Sequence, residues 1–391
     1  MREMSLSGLR VLDLSRVLAG PYAAMMLGDM GADVIKVERP ESGDDTRGWG
    51  PPFAADGQSA YFLSCNRNKV SLTADFRSPD DQLLLHRLIA QADVVIENFL
   101  PGSLARYGFD ADALLAHNPR LVWCTISGFG ADATRPGYDF VVQAESGWMA
   151  MTGEPTGSPM KAGVAIVDVL TGKDAALGIL AALAARDRAA LAGRPALPVS
   201  ARRVQVSLID SALASLVNVA QNTLVTGQPA RRWGNAHANL VPYQLFASAD
   251  RPLVLAVGSD AQWLAAARAL GLDELADDPE LRSNAGRLAQ RERVVAALSL
   301  CLQTRPAAEW MARLEAAGVP CGVVREVHEA LADSAVRSGQ DVSELAQTGI
   351  SPLWNGIVRL RPPKLGEHSV TVREKQWSLF DNLPILSDGD V

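Results

Sequence analysis

Short apolar runs alternate with helical patterns through the first half of the chain, and this alternation narrows the fold more than any other feature. Leu9–Leu14 (LRVLDL) reads as a strand. Gly20 and Pro21 punctuate the turn after it, and Pro21 suits the first turn of a helix, where a missing N–H costs nothing. Tyr22–Met30 reads as that helix and Gly31 as its stop. Ala32–Glu38 is a second strand, which completes a βαβ unit of about thirty residues. The pattern recurs with a helix over Pro79–Gln91, a strand over Asp93–Glu97, a short helix over Asp110–His117 and a strand over Leu121–Ser127. Apolar strands separated by helices predict an α/β fold with a mainly parallel sheet covered on both faces. Ligands of such sheets bind beyond the carboxyl ends of the strands. The loops that begin at Ser15, Glu38, Asn98 and Ser127 are therefore the places to look for a site.

Elsewhere the composition marks boundaries. Glu41–Asp56 is rich in Gly, Asp and Pro and reads as a surface loop. The Pro- and Ala-rich stretch Leu191–Arg203 leaves the first domain, Arg203–Leu208 reads as one more strand, and Ile209–Val225 as one more helix. Gly227–Asn239 reads as a linker or loop. A second unit begins near Val241, with a strand at Leu253–Val257 and helices at Gln262–Leu270, Ala285–Thr304 and Ala307–Ala317. The tail after Ser338 carries Pro352, Pro362 and Pro363 among short strand-like pieces.

The 391 residues carry a formal net charge of −7 without a long Lys/Arg block, which disfavours a nucleic-acid partner. The four cysteines, Cys65, Cys124, Cys301 and Cys321, include no CxxC pair, so neither a metal site nor a redox motif is signalled. Scattered cysteines in a chain this long are expected as buried thiols in a reducing compartment. The first residues lack an apolar signal region. The most apolar stretch, Val164–Ala185, contains Asp168, Lys173 and Asp174 and reads as a buried helix rather than a membrane span. A cytoplasmic protein is the expectation.

Several enzyme signatures are missing. The sequence has no G-x-S-x-G nucleophile elbow, and no phosphate loop, G-x-G-x-x-G or H-E-x-x-H. None of the five histidines lies beside a plausible nucleophile. Serine or cysteine acyl chemistry needs a base to activate its nucleophile. A carboxylate needs none, since an ordinary Asp, with a pKa of about 3.9, is ionised at neutral pH. If the chain performs acyl transfer, a carboxylate nucleophile fits its residues best. Asp168 is the candidate: it follows the apolar run Val164–Val167 and precedes a long Ala/Leu-rich helix pattern from about Val169 to Arg188. Two readings stand side by side, a helix N-cap that accepts a free backbone N–H and a nucleophile at the mouth of a site.

Ordered blocks along the chain resemble the family III CoA-transferases, the CaiB/BaiF family. They are Leu6–Pro21 (LSGLRVLDLSRVLAGP), Gly31–Pro40 (GADVIKVERP), Asn66–Lys69 (NRNK), Glu97–Gly102 (ENFLPG), Ser127–Gly130 (SGFG), Gly137–Asp139 (GYD), Gln143–Gly147 (QAESG), Thr152–Glu154 (TGE), Asp168, Pro242–Tyr243 and Lys364–His368 (KLGEH). Any one block is a weak signal; their ordered combination is specific. The resemblance implies a Rossmann-like large domain built from both chain ends, a smaller α/β domain, and a homodimer whose two chains interlock like linked rings. Residues 1–200 would then form the N-terminal part of the large, CoA-binding domain, 201–240 a connecting segment, 241–330 the small domain, and 331–391 the return to the large one.

The same resemblance implies roles for individual residues. Asp168 stands at the family's catalytic aspartate, which takes the acyl group and then CoA itself, and its place at a helix start would favour the ionised form. Arg39, Lys69 and Arg106 stand where the family binds CoA phosphates, which need fixed positive charge. Asn98 and Phe99 match a loop that contacts the CoA. Val17 and Leu18 match the loop nearest the thioester. Tyr138 and Asp139 match positions near the acceptor pocket. CoA and acyl-CoA enter as substrates, with no permanently bound cofactor expected. Members acting on formate and oxalate have a glutamine in the place of Leu18, and a leucine cannot hydrogen-bond a developing oxyanion, so a formyl-CoA transferase is not expected. The main rival is an α-methylacyl-CoA racemase of the same fold, which uses a histidine thirty residues before the aspartate. Here that position is Tyr138, a poor base at neutral pH with a reference pKa of about 10. A CoA-binding protein without catalysis is the other alternative, and the intact Asp168 argues against it.

Overall fold

Strand-forming runs pair in parallel throughout the first unit of the structure, a computed structural model that describes residues 4–338, 342–353 and 356–383. The strands are β1 (Arg10–Asp13), β2 (Asp33–Glu38), β3 (Lys69–Thr73), β4 (Val94–Glu97), β5 (Val122–Ser127) and β6 (Arg203–Ser207). They form one sheet in the order β3-β2-β1-β4-β5-β6, and every neighbouring pair is parallel. The strand order reverses between β1 and β4, the point at which a doubly wound sheet opens a crevice.

Successive strand residues face opposite sides, and the core divides accordingly. Val11, Val34, Val94, Ile96 and Val122 join a cluster with the helices Ala19–Asp29 and Ile166–Leu191. Leu12, Ile35, Val70, Val95 and Trp123 join another with the helix Pro79–Gln91. Trp377 and Leu379, from the end of the chain, complete that second cluster. The C-terminal segment also occupies the open edge of β3. His368 donates its N–H to the Ser71 carbonyl, the Asn68 N–H donates to the Leu360 carbonyl, and the Thr73 N–H donates to Ser369 Oγ at 3.0 Å. Such cover satisfies backbone groups that would otherwise template pairing with another chain.

Residues 201–228 belong to this first unit, because β6 extends the sheet. The second unit comprises Met149–Met160 and Pro229–Ser338. Its sheet holds β7 (Tyr243–Phe246), β8 (Leu253–Ala256) and β9 (Cys321–Val323), antiparallel and in that order. A core containing Trp263, Leu298 and Trp310 packs against it. No helix among the described residues is long and apolar enough to cross a membrane.

Several local expectations need correction. The helix expected over Ala285–Thr304 is two, Asn284–Ala289 and Arg291–Leu302, with Gln290 between them. The tail after Ser338, expected to hold short strand-like pieces, forms among the described residues the helices Val342–Thr348 and Ser369–Lys375. The long central helix starts at Ile166, not Val169, with Ala165 as its N-cap. Asp168 is therefore the third helical residue and not the cap. The helix expected over Ile209–Val225 is two, Leu208–Ala214 and Val217–Thr226. The Ser215 hydroxyl donates to the Ala212 carbonyl at 2.8 Å, and Val217 has a φ of +43°, so the helix cannot run through. The Gly/Asp/Pro-rich loop is not all surface: Asp44 and Thr46 within it are buried.

Candidate active site

The crevice at the strand reversal is lined by the loops that follow β1, β4 and β5, and Asp168 lies in it. The carboxyl-bearing residue sits in the first turn of the Ile166–Leu191 helix and is only 9% exposed. The free N–H groups of that turn are taken by a different carboxylate. Asp139 Oδ1 accepts from the N–H of Val167 at 2.8 Å and of Asp168 at 3.3 Å. Gln143, fully buried, donates to Asp139 Oδ2 at 2.6 Å and accepts from the Ala162 N–H at 2.8 Å. Asp139 thus caps the helix from outside it, which satisfies donors that a helix start leaves unpaired. Asp168 is left with desolvation and a like charge beside it. Burial first, and Asp139 second, push its pKa up to about 7. The expectation of a fully ionised aspartate at neutral pH is corrected accordingly. An acid poised between its two forms at the mouth of a cleft is the kind of group found at reactive centres.

The cavity around Asp168 has a volume of about 250 Å³. Val17, Leu18, Asn98, Phe99 and Tyr138 line it together with Asp168, as do Arg16, Asp45 and Arg135. A larger groove of about 610 Å³ is lined by Arg39, Arg106, Tyr107 and Phe76, and Arg16 and Phe99 line both spaces. An elongated ligand with an anionic end and a reactive end could therefore lie along the groove and reach Asp168. Asn98 fixes the junction. Its Nδ2 donates to the Arg16 carbonyl at 2.7 Å, and its Oδ1 accepts the Arg16 N–H at 3.0 Å. The Arg16 guanidinium lies 5.3 Å from the Phe99 ring centre and pairs with Asp45 at 3.1 Å. Asp45 also pairs with Arg39 at 2.5 Å. Arg106 is exposed and makes no ion pair among the described residues. No histidine lines the cavity, and Tyr138 is 56% exposed.

Two expected site residues line neither space. The Lys69 ammonium is fully buried and spends its three donors on Asp13 Oδ2 at 2.9 Å, the Pro21 carbonyl at 2.8 Å and Asn66 Oδ1 at 2.9 Å. It is a structural cation that balances Asp13, not a phosphate ligand. Asp139, expected near the acceptor, is 8% exposed and has its carboxylate committed to the helix cap.

Two residues the sequence did not single out belong to the site. Arg16 stands in the loop that begins at Ser15, and its position beyond β1 was the available signal. Asp44 had none, because a Gly/Asp/Pro-rich loop reads as surface. It nonetheless lies inside, pairs with Lys36 at 2.9 Å with both side chains fully buried, and has its pKa held down at about 2; the Lys36 ammonium and bonds from Thr46 outweigh the desolvation that would raise it.

Comparison with known proteins bears on what this crevice does. Residues 6–373 match the family model described as CoA-transferase family III. A succinate–glutarate CoA-transferase of Agrobacterium fabrum is 42% identical over 390 residues, covering 95% of this chain and 95% of that protein. The succinyl-CoA:glutarate CoA-transferase of Mus musculus is 37% identical, covering 96% of this chain and 81% of that one. The crystal structure of a CaiB/BaiF family protein from Brucella suis superposes with a TM-score of 0.81 at 39% identity, covering 95% of this chain and 99% of that one. With the groove and its buried carboxyl group in place, these similarities identify the chain as a member of CoA-transferase family III, an enzyme that moves CoA between an acyl-CoA and a carboxylic acid.

Proposed function

We propose that the enzyme transfers CoA from succinyl-CoA to a dicarboxylic acid acceptor through covalent intermediates on Asp168. The observation that carries this reading is the Asp168 carboxyl group in a small cavity beside a longer groove that also carries arginines. The names of the relatives support the choice of donor and the class of acceptor. Ionised Asp168 attacks the thioester carbonyl, the C–S bond breaks, and CoA leaves as its thiolate with a mixed anhydride left on the aspartate. The thiolate attacks the aspartyl carbonyl of that anhydride, which releases the donor acid and forms an aspartyl-CoA thioester. The acceptor carboxylate displaces the thiolate, and the thiolate then attacks the acceptor's acyl carbon to give the new acyl-CoA and free Asp168. Covalent catalysis of this kind divides one difficult exchange into easier ones.

In this reading the arginines of the groove, Arg39, Arg106 and Arg16, hold the CoA phosphates. Val17, Leu18, Asn98 and Phe99 enclose the thioester end, and Tyr138 borders the acceptor. The enzyme acts as a homodimer in the cytoplasm, where Cys65 and Cys124, both buried free thiols, stay reduced. The test is incubation with succinyl-CoA and a panel of carboxylic acids that includes glutarate, read by mass spectrometry, with hydroxylamine added during turnover. A new acyl-CoA and a hydroxamate at Asp168 are expected, and both vanish in Asp168→Ala. Exchange of an α-hydrogen of 2-methylacyl-CoA with D2O, needing no acceptor and leaving no adduct, would make the enzyme a racemase instead. Turnover in Asp168→Ala within about tenfold of wild type, a loss of only ~1.4 kcal/mol in transition-state stabilisation, would remove Asp168 from the nucleophile's role.

A further inference from the structure

Among the non-glycine residues that line the Asp168 cavity, Val17 alone has a positive φ, +72°. A branched side chain is unfavourable in that region, and such a conformation persists only where its surroundings impose it. Here the surroundings are specific. The Val17 N–H donates to both carboxylate oxygens of Asp44, at 3.2 and 3.3 Å. Its carbonyl faces the Cys65 thiol at 3.9 Å. Asp44 is itself fixed from behind. It accepts from the Thr46 N–H at 3.0 Å and hydroxyl at 2.8 Å, and from Lys36 Nζ at 2.9 Å. Lys36 donates in turn to the Ser15 carbonyl at 3.0 Å, at the start of the same loop. Both backbone polar groups of Val17 are therefore turned to internal partners. Val17 lines the Asp168 cavity, and its side chain packs against the cluster of Leu18, Met25 and Cys65.

We infer that Asp44 is a positioning residue that holds Val17 in its strained conformation, so that the isopropyl group screens the acyl anhydride on Asp168 from water. The inference rests on the reading that Asp168 carries the acyl group. The competing reaction is plain: the oxygen of water bonds to the acyl carbon, that carbon's bond to the Asp168 oxygen breaks, and the free acid leaves with Asp168 restored and a proton released. The thioester is then spent without transfer. Screening by an apolar wall suppresses such side reactions in closed sites.

The test compares wild type, Val17→Gly and Asp44→Asn with succinyl-CoA, measuring CoA released without acceptor against acyl-CoA formed with glutarate. Glycine takes a φ of +72° without steric cost, so Val17→Gly keeps the loop and removes only the wall. It carries the test if Asp44→Asn fails to fold. The expected result is a hydrolysis-to-transfer ratio at least about tenfold above wild type in both variants, with the extra hydrolysis abolished by adding Asp168→Ala. Loss of transfer and hydrolysis in equal proportion, with the ratio unmoved, overturns the inference and leaves Asp44 a structural residue. Wild-type transfer with no hydroxylamine-trappable group on Asp168 overturns instead the covalent reading on which it stands.

Discussion

At the scale of single residues, the decisive correction concerns charge. Asp168 stands out as the candidate nucleophile from its place between an apolar run and a helix and from the family blocks around it. Its protonation was not recognisable, because that depends on burial and on Asp139, which lies far off in sequence and adjacent in space. The rise from 3.8 to about 7 amounts to roughly 4 kcal/mol in favour of the neutral acid, at ~1.4 kcal/mol per pH unit. An unfolded chain ionises this group above about pH 4, and the folded chain only near pH 7, so between those limits the folded chain holds the extra proton. Stability should then fall as pH rises through that window and level off above it. Asp168→Asn cannot ionise and escapes the penalty. Its melting temperature should gain on wild type progressively from pH 4 to pH 7 and stay ahead by a constant margin beyond; a gain independent of pH would mean that Asp168 is not shifted. Lys69 shows the opposite failure, a motif position that suggested a ligand and proved to be a buried counter-ion. Removing one member of a buried pair costs about 3–5 kcal/mol. Lys69→Met should therefore lower the melting temperature sharply while folded enzyme keeps its KM for CoA. Arg106→Ala should raise that KM several-fold with the melting temperature unmoved.

At the scale of elements, five of the six strands of the parallel sheet were legible, because apolar runs of strand length between helical patterns admit few other structures; β3, Lys69–Thr73, was not singled out, since Lys69, Ser71 and Thr73 break its apolar run. Ends and breaks were less so. The long helix seemed to begin with Asp168 as cap, since an aspartate before a helical run is the usual sign of one. The actual cap comes from another element, and no local pattern announces a carboxylate that arrives from a different helix. The break near Ser215 escaped for a similar reason, since the apolar pattern continues across it. The borrowed cap makes a prediction of its own. Asp139→Asn keeps an oxygen for the N–H groups of Val167 and Asp168 and removes the charge that helps hold Asp168 protonated. The acidic limb of its kcat/KM profile should move to lower pH than in wild type, while burial still keeps it above the ordinary carboxylate range. Asp139→Ala loses the cap as well and should cost about 1–2 kcal/mol of stability. A limb that moves to higher pH in Asp139→Asn would show that Asp139 supports the ionised form of Asp168 and not the neutral one.

At the scale of the whole molecule, the return of the chain's end to β3 was expected only by resemblance, since no periodicity in the Pro-containing tail points to a particular strand edge. The assembly is likewise beyond the reach of local patterns. The helix Val217–Thr226 has no buried residue; Val217, Leu224 and Val225 are 68%, 77% and 74% exposed. Neighbouring Leu213, on the preceding helix, is 48% exposed. A face of this kind is what a partner chain would cover. A second copy of the chain is the occupant that the family resemblance implies, and closed two-fold pairs are the commonest form of assembly. An interlocked pair differs from an ordinary one in a property that can be measured. Dilution shifts an ordinary dimer toward monomers by mass action, and its subunits exchange on mixing. Linked rings cannot part without unfolding. When two preparations that carry different tags are mixed at micromolar concentration, native conditions should give no mixed dimer over a day. Mixed dimers should appear only after joint unfolding and refolding. Sedimentation should show the dimer undiminished at the lowest concentration detectable. Mixed dimers that form within hours of native mixing would leave a dimer without the link, and a monomer in sedimentation would mean that the exposed helix face meets some other partner.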